Sequence, residues 1–252
     1  MAYSYTRLKG FTLVEMAIVL VIVGLILGGI MMPLSVQMDQ HNATSTRATI
    51  ANVQEALIGY AMANGRFPCP AVAGATGVEA FAAGGAGTGI CANLVNAGFV
   101  PGVTLGVSPT NANGYVVDGW NNPIRYAIVP LTNDAGASYI FTKSLGMKNA
   151  GISWIALQSL LSVCNTSTGI GATTCSGAAT TLTNSAVLVI FSQGKNFPTI
   201  GIPDEQANNV GDVFIDHTPN PTGAANGEYD DIMSWVSINT VFSRMVQAGQ
   251  LP

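Results

Sequence analysis

The feature that most constrains this chain is an apolar run that begins after its first ten residues. Residues 11–32 are 22 consecutive positions with a single charged side chain, Glu15. As an α-helix the run would be roughly 33 Å long, which is enough to cross the hydrocarbon core of a bilayer. We therefore predict a transmembrane helix over residues 11–32, in a chain that is not a freely soluble cytosolic enzyme.

The basic residues around the run predict its orientation. Arg7 and Lys9 precede it, and no basic residue follows it until Arg47. By the positive-inside rule, residues 1–10 stay in the cytoplasm and the chain beyond the run crosses the membrane. An ordinary signal peptide has a shorter apolar run with a small-residue cleavage site after it, whereas here the Gly10 junction precedes the run.

Glu15 is unusual because a carboxylate in a membrane helix is unfavourable by about 2.5–3.5 kcal/mol at the bilayer centre, and by less near an interface. One interpretation is that the side chain reaches back to the cytoplasmic headgroups. The other requires cleavage after Gly10, which would give Phe11 a free amino group that pairs with the Glu15 carboxylate of a neighbouring subunit. Gly24 and Gly28 have the small-x-x-x-small spacing that allows such helices to pack closely.

The segment Lys9-Gly-Phe-Thr-Leu-Val-Glu15, followed by the apolar run, resembles the leader and methylation motif of type IV pilins and type II secretion pseudopilins. The resemblance implies that a prepilin peptidase cuts after Gly10 and methylates the new amino group of Phe11. It also implies that Glu15, at the fifth mature position, guides the subunit into a filament. The implied fold is α+β and pilin-like, with a long N-terminal helix, transmembrane then amphipathic, packed on an antiparallel β-sheet head with disulfide loops.

The same resemblance implies partners and a location. The partners would be further copies of this chain, other pilin-like subunits, the prepilin peptidase and an inner-membrane assembly platform. The chain would cross the bacterial inner membrane once, with its C-terminal domain in the periplasm, and then enter a filament in the periplasm or on the cell surface. A type II secretion pseudopilin and a major or minor type IV pilin both remain open. An uncleaved, signal-anchored periplasmic binding module is the alternative from a different class.

Beyond the membrane run, the hydrophobic pattern predicts that the helix continues onto a globular head. Ile50, Val53, Leu57 and Tyr60 recur at helical spacing, and Asn64-Gly65 supplies a stop. We therefore expect one helix over about residues 11–63. The expected division is a cytoplasmic leader, a transmembrane half, an amphipathic half and a globular head, at residues 1–10, 11–32, 33–66 and 67–252.

Short β-branched and aromatic runs predict the strands of the head, and they lie at residues 114–117, 124–129, 138–141 and 186–191. The last of these is continuously apolar and is expected to be central. Residues 152–163 and 237–248 are expected to be helical. The segment 118–126, between the first two strands, resembles a hairpin of secretion pseudopilins.

Four cysteines in a translocated domain predict two disulfide bonds. Four cysteines allow three pairings, of which the simplest joins sequence neighbours, Cys69 to Cys91 and Cys164 to Cys175. Each bond would close a short loop and contribute about 3 kcal/mol in the chain-entropy treatment. A zinc site is disfavoured, because there is no Cys-x-x-Cys pair and both histidines lie far from the cysteines in sequence.

The charges are few and mostly acidic. After residue 32 there are 7 basic and 12 acidic side chains, and the formal net charge of the whole chain is −4. This balance argues against a nucleic-acid partner, which needs a basic face. The sequence has no Gly-x-Ser-x-Gly elbow, no His-Glu-x-x-His motif and no other catalytic constellation, so we expect that the protein is not an enzyme.

Acidic residues gather after residue 200, where Arg244 is the only basic residue. Clustered carboxylates in loops rich in Asn, Gly and Ser suit calcium, a hard cation that takes six to eight oxygen ligands. A solvated acidic face is the alternative. Segments 191–196 and 227–235 resemble the two segments that hold calcium in major pseudopilins. This resemblance implies a calcium site that contains Ser192, Asp230 and Asp231.

Overall fold

The structure is a computed structural model of the chain. It describes residues 10–74, 76–92, 98–132, 138–199, 201–209, 211–221, 223–224 and 227–251, with side chains omitted at 27–34. The predicted leader therefore lies outside the described residues except for Gly10. The chain divides into two compact units, residues 1–41 and 42–252.

The longest element is the helix α1, Leu13–Asn64, which contains 52 residues. Its bounds agree with the helix expected over residues 11–63. In the second unit its apolar stripe is buried, including Ile50, Val53 and Leu57. The helix ends at Gly65, whose φ of 68° is a left-handed conformation that glycine adopts without strain.

The first unit consists of the N-terminal part of α1. Its described apolar side chains, from Phe11 to Ile26, are exposed. Within the part of the chain that the structure describes, no helix is both long enough and apolar enough to span a membrane. The transmembrane half predicted at residues 11–32 is therefore not confirmed.

The head contains a five-stranded sheet with the order β1-β3-β2-β4, and β5 also pairs with β3, along residues 186–192. The strands are β1 Arg125–Ile128, β2 Leu161–Cys164, β3 Thr181–Ser192, β4 Val213–Ile215 and β5 Ile232–Ser237. β3 is antiparallel to β1, β2 and β5, whereas β2 and β4 are parallel. The prediction of an antiparallel sheet is thus wrong at one edge, because the long segment 165–212 supplies the crossover that parallel neighbours need.

Short helices complete the head. They are α2 Gly102–Leu105, α3 Gly146–Ala150, α4 Ile152–Ile155, α5 Pro203–Ala207 and α6 Ile238–Gln247. Ser237 caps α6 by accepting a hydrogen bond from the Thr240 N–H. The helix expected at residues 237–248 is confirmed. The one expected at 152–163 is wrong after Ile155, since β2 takes up the last part of that segment.

Two of the four predicted strands form. Residues 124–129 contain β1, residues 186–191 form half of β3, and β3 is central as expected. Residues 114–117 and 138–141 make only isolated bridges, such as Tyr115 to Pro101 and Tyr139 to Thr132. Successive residues of these segments bridge to different parts of the chain, so no continuous ladder develops.

The loop after residue 117 packs so closely on α1 that position 119 must be glycine. The Gly119 N–H donates a hydrogen bond to Thr46 Oγ1 over 2.9 Å. A Cβ at position 119 would overlap the backbone of Asn42 in α1. Glycine is therefore required where this turn packs on the helix.

Both disulfide bonds join sequence neighbours, Cys69 to Cys91 and Cys164 to Cys175. The first bond closes a loop that is also held by an ion pair at the end of α1. Arg66 donates through both Nη atoms to the two carboxylate oxygens of Glu79, each over 2.7 Å. Although burial alone would raise the pKa of Glu79, its hydrogen bond and charge interaction with Arg66 lower the pKa overall.

We expect the Glu79→Gln variant to lower the free energy of unfolding by about 1–3 kcal/mol, because it leaves a half-buried guanidinium without its carboxylate. Urea unfolding of the full chain in detergent measures this change. The matched control is Glu55→Gln, which removes the exposed partner of Arg244 at 3.7 Å and should change the free energy by less than about 1 kcal/mol. Equal effects of the two variants would contradict the structural role of the Arg66–Glu79 pair.

Candidate functional site

The first candidate site is the start of α1, where the sequence predicts cleavage and assembly. Gly10 and Phe11 are exposed. Thr12 directly precedes the helix, and its N–H and Oγ1 both donate to Glu15 Oε2, over 2.8 and 2.9 Å. The Glu15 N–H donates in return to Thr12 Oγ1 over 3.2 Å. This reciprocal arrangement is a capping box, which satisfies backbone donors at the first turn of a helix.

The capping box gives Glu15 a second role beside the predicted pairing with a neighbour. Its carboxylate is already hydrogen-bonded within its own chain, and no described basic residue forms an ion pair with it. The sequence reasoning did not assign a role to Thr12. The Thr-x-x-Glu spacing before an apolar run was the available signal.

The second candidate site is a cluster of three carboxylates in the head. Ligand oxygens of Glu205, Asp230 and Asp231 all lie within 4.8 Å of one another. Glu205 comes from α5, and Asp231 directly precedes β5. Glu205 and Asp231 are only 3% and 4% exposed, so the cluster is buried rather than a solvated acidic face.

Hydrogen-bond donors from two segments, residues 195–196 after β3 and Asn208 after α5, contact the cluster. Asp230 Oδ2 accepts from the N–H groups of Lys195 and Asn196, over 2.8 and 3.2 Å. Asp231 Oδ2 accepts from Asn208 Nδ2 over 2.7 Å. Glu205 accepts from the Asn196 amide over 3.2 and 3.4 Å. Segments 191–196 and 227–235, which the sequence singled out, therefore meet at this cluster.

The electrostatics of the cluster favour a proton or a cation. Burial raises the pKa of Asp231 to about 8, and the charges of Glu205 and Asp230 act in the same direction. Burial also raises the pKa of Asp230 to about 6. Two oxygens near the cluster, Asp230 Oδ1 and Gln193 Oε1, are buried without a hydrogen-bond partner among the described residues. An all-oxygen donor set with two unsatisfied oxygens fits a hard cation such as calcium.

The hydroxyl of Ser192, which the sequence placed in the calcium site, is hydrogen-bonded to Asp118 instead of to the carboxylate cluster. Ser192 Oγ donates to Asp118 Oδ2 over 2.5 Å and accepts from the Gly194 N–H over 3.1 Å. Asp118 also accepts from the N–H groups of Trp120 and Asn122. The Ser192 side chain thus satisfies a buried carboxylate that holds a turn, whereas Asp230 and Asp231 gather with Glu205. Sequence reasoning did not select Glu205, because 24 residues separate it from Asp230 and no spacing motif links the two.

Comparison with known families gives one result. Residues 6–31 match the prokaryotic N-terminal methylation motif, the signature of type IV pilin and pseudopilin precursors. No curated protein and no solved structure matches the chain. The motif indicates a membrane-anchored precursor and implies processing by a prepilin peptidase and assembly with other pilin-like subunits. It suggests a structural subunit rather than an enzyme.

Proposed function

We propose that this protein is a filament subunit of the pilin or pseudopilin type. Prepilin peptidase would cut after Gly10 and methylate the amino group of Phe11, and the mature subunit would polymerise through the N-terminal part of α1. The observation that carries this proposal is the match of residues 6–31 to the methylation motif, a stretch that contains Gly10, Phe11 and the start of the apolar run. The function is polymerisation and not catalysis.

The exposed apolar side chains of residues 11–26, here called the apolar arm, support this proposal on physical grounds. Its described large side chains are mostly more than half exposed; Leu13 reaches 86% and Leu25 reaches 72%. Exposing apolar surface to water is unfavourable by about 25 cal/mol per Å². A continuous apolar surface of this kind is therefore expected to be buried against lipid or protein. Lipid would cover it in the inner membrane, and the arms of neighbouring subunits would cover it in a filament.

Of the two filaments, we infer the pseudopilus of type II secretion. The segments that resemble those of major pseudopilins, 191–196 and 227–235, lie against each other through the hydrogen bonds from Lys195 and Asn196 to Asp230. A type IV pilus remains the second candidate, favoured by the length of the chain and its two disulfide loops. In either case the head would lie outside the inner membrane, and the subunit would engage an assembly platform in that membrane.

We also propose that the carboxylate cluster binds calcium. Glu205, Asp230 and Asp231 would hold the ion, since their oxygens lie within 4.8 Å of one another. Bound calcium would join α5, the exit of β3 and the start of β5. The role of the ion would be structural, because it would hold the loops after residue 192 in place against the sheet.

The intact mass of the protein purified from its native membranes tests the proposed processing. We expect a mass that lacks residues 1–10 and carries one additional methyl group. A Gly10→Val variant should retain the leader, because a branched side chain would replace the small residue at the proposed cut. If the wild-type chain kept its leader in a host with an active prepilin peptidase, the alternative of an uncleaved, signal-anchored periplasmic module would replace the filament.

A further inference from the structure

A groove in the head carries no charged residue among the described residues that line it. It has a volume of about 290 Å³ and lies between the chain from 156 to 162, residues 173–174 and residues 184–185. Its polar lining consists of hydroxyl and amide side chains, including Gln158, Ser159, Thr174 and Asn184. Along its described lining, this groove offers only neutral hydrogen-bonding groups.

Several of these polar side chains are available to a ligand. Within the described part of the chain, the side chains of Ser159, Thr174 and Asn184 form no hydrogen bond with another residue, and all three are exposed. Each can donate and accept hydrogen bonds. The groove therefore presents at least three convergent donor–acceptor groups that the fold itself does not use.

The walls of the groove are held in place before any ligand binds. Cys164 and Cys175 bridge the two ends of the loop that carries Thr174. Ser162 Oγ donates to the Thr173 carbonyl over 2.9 Å, and the Gly171 N–H donates to the Thr174 carbonyl over 2.9 Å. A preformed site of this kind loses less conformational entropy on binding than a flexible loop does.

Apolar surface lies beside these polar groups. Leu157 is 84% exposed on the rim, and Leu160 and Ile238 are buried in the floor. A second depression of about 160 Å³ shares Ser159, Leu160 and Thr173 with the groove and is also lined by Asp212. The combined surface therefore contains apolar side chains, hydroxyl and amide groups, and one carboxylate.

We propose that this groove binds a neutral saccharide of about two sugar units. Sugar hydroxyls both donate and accept, which matches the neutral side chains, and an apolar sugar face can lie on Leu157. Asp212 can accept hydrogen bonds from a pair of neighbouring hydroxyls, and its carboxylate disfavours an acidic sugar. An extended peptide fits less well, because β2 is already paired on both sides by β3 and β4 and offers no free edge in the groove.

The test uses the full chain in micelles of lauryldimethylamine oxide, a detergent without sugar groups. Saturation-transfer NMR with cellobiose, maltose, lactose and N,N′-diacetylchitobiose detects binding and gives the dissociation constant by titration. We expect at least one of these to bind, and glucuronic acid not to bind. Thr174→Val and Asn184→Leu should each weaken binding about tenfold, as expected for the loss of a hydrogen bond in a small site.

The matched control is Thr181→Val, which changes an exposed threonine on the same strand as Asn184 but outside the groove. It should leave the dissociation constant unchanged. The absence of binding to all four disaccharides would overturn the proposal. So would binding that Thr174→Val and Asn184→Leu leave unaltered, or binding of a neutral hexapeptide in place of the sugars. The measurement does not depend on cleavage at Gly10, so it stands apart from the proposed filament function.

Discussion

The Glu15→Gln variant should be processed at Gly10 and should fold normally, but it should fail to assemble into filaments. Glutamine retains the shape of the side chain and can still accept the two hydrogen bonds from Thr12. It removes the negative charge that would pair with the methylated amino group of a neighbouring Phe11. We expect filament yield to fall at least tenfold, measured by shearing and sedimentation of filaments from cells that express the variant.

The capping box makes a sharp control available. Thr12→Ala removes the hydroxyl that donates to Glu15 and accepts from its N–H, but it leaves the Glu15 charge in place. Loss of a cap destabilises a helix start by about 1 kcal/mol. Thr12→Ala should therefore reduce assembly much less than Glu15→Gln does. If Thr12→Ala abolished assembly and Glu15→Gln left it intact, Glu15 would act as a helix cap and not as a charge partner.

The parts of the fold that could be predicted from the sequence are those with a local signal. The stripe of Ile50, Val53 and Leu57 predicts α1, and Asn64-Gly65 predicts its end within one residue. The continuous apolar run at residues 186–191 predicts a central strand, because a strand buried on both faces has no polar alternation. The observed disulfide pairing is the simplest of the three that the four cysteines allow, the one that joins sequence neighbours.

The parts that the sequence did not reveal depend on distant contacts. Residues 161–163 were expected to continue a helix, but they belong to β2 because β3 and β4 pair with that strand on either side. A short apolar segment carries no periodicity that separates a buried strand from a helix. Glu205 likewise lies near Asp230 and Asp231 only because the fold brings α5 close to the residues that directly precede β5, and no local sequence pattern predicts that proximity.

The carboxylate cluster leads to a prediction for the dependence of stability on pH. Without a metal ion, the pKa values of Asp230 and Asp231 are raised in the folded chain, to about 6 and about 8, from an ordinary value near 4. Between pH 5 and pH 8 the folded state therefore binds protons that the unfolded state has already released. Stability must fall as the pH rises through this range, on the order of 5 kcal/mol in total for these two groups. Burial raises the pKa values of Asp118, Asp212 and Asp216 too, so these groups act in the same direction.

Calcium should reverse this loss, because the ion binds the deprotonated carboxylates and replaces the protons. For the full chain in detergent and chelator, we expect the melting temperature to be lower at pH 8 than at pH 5 by about 10 °C or more. Millimolar calcium should raise it at pH 8 and change it little at pH 5. Asp231→Asn should flatten the pH dependence and abolish the calcium effect, whereas Glu55→Gln, at an exposed position, should preserve both. A melting temperature that calcium leaves unchanged at pH 8 would contradict calcium binding. Protonation of Asp230 and Asp231 alone would then stabilise the cluster, and the loops after residue 192 would become less stable as the pH rises.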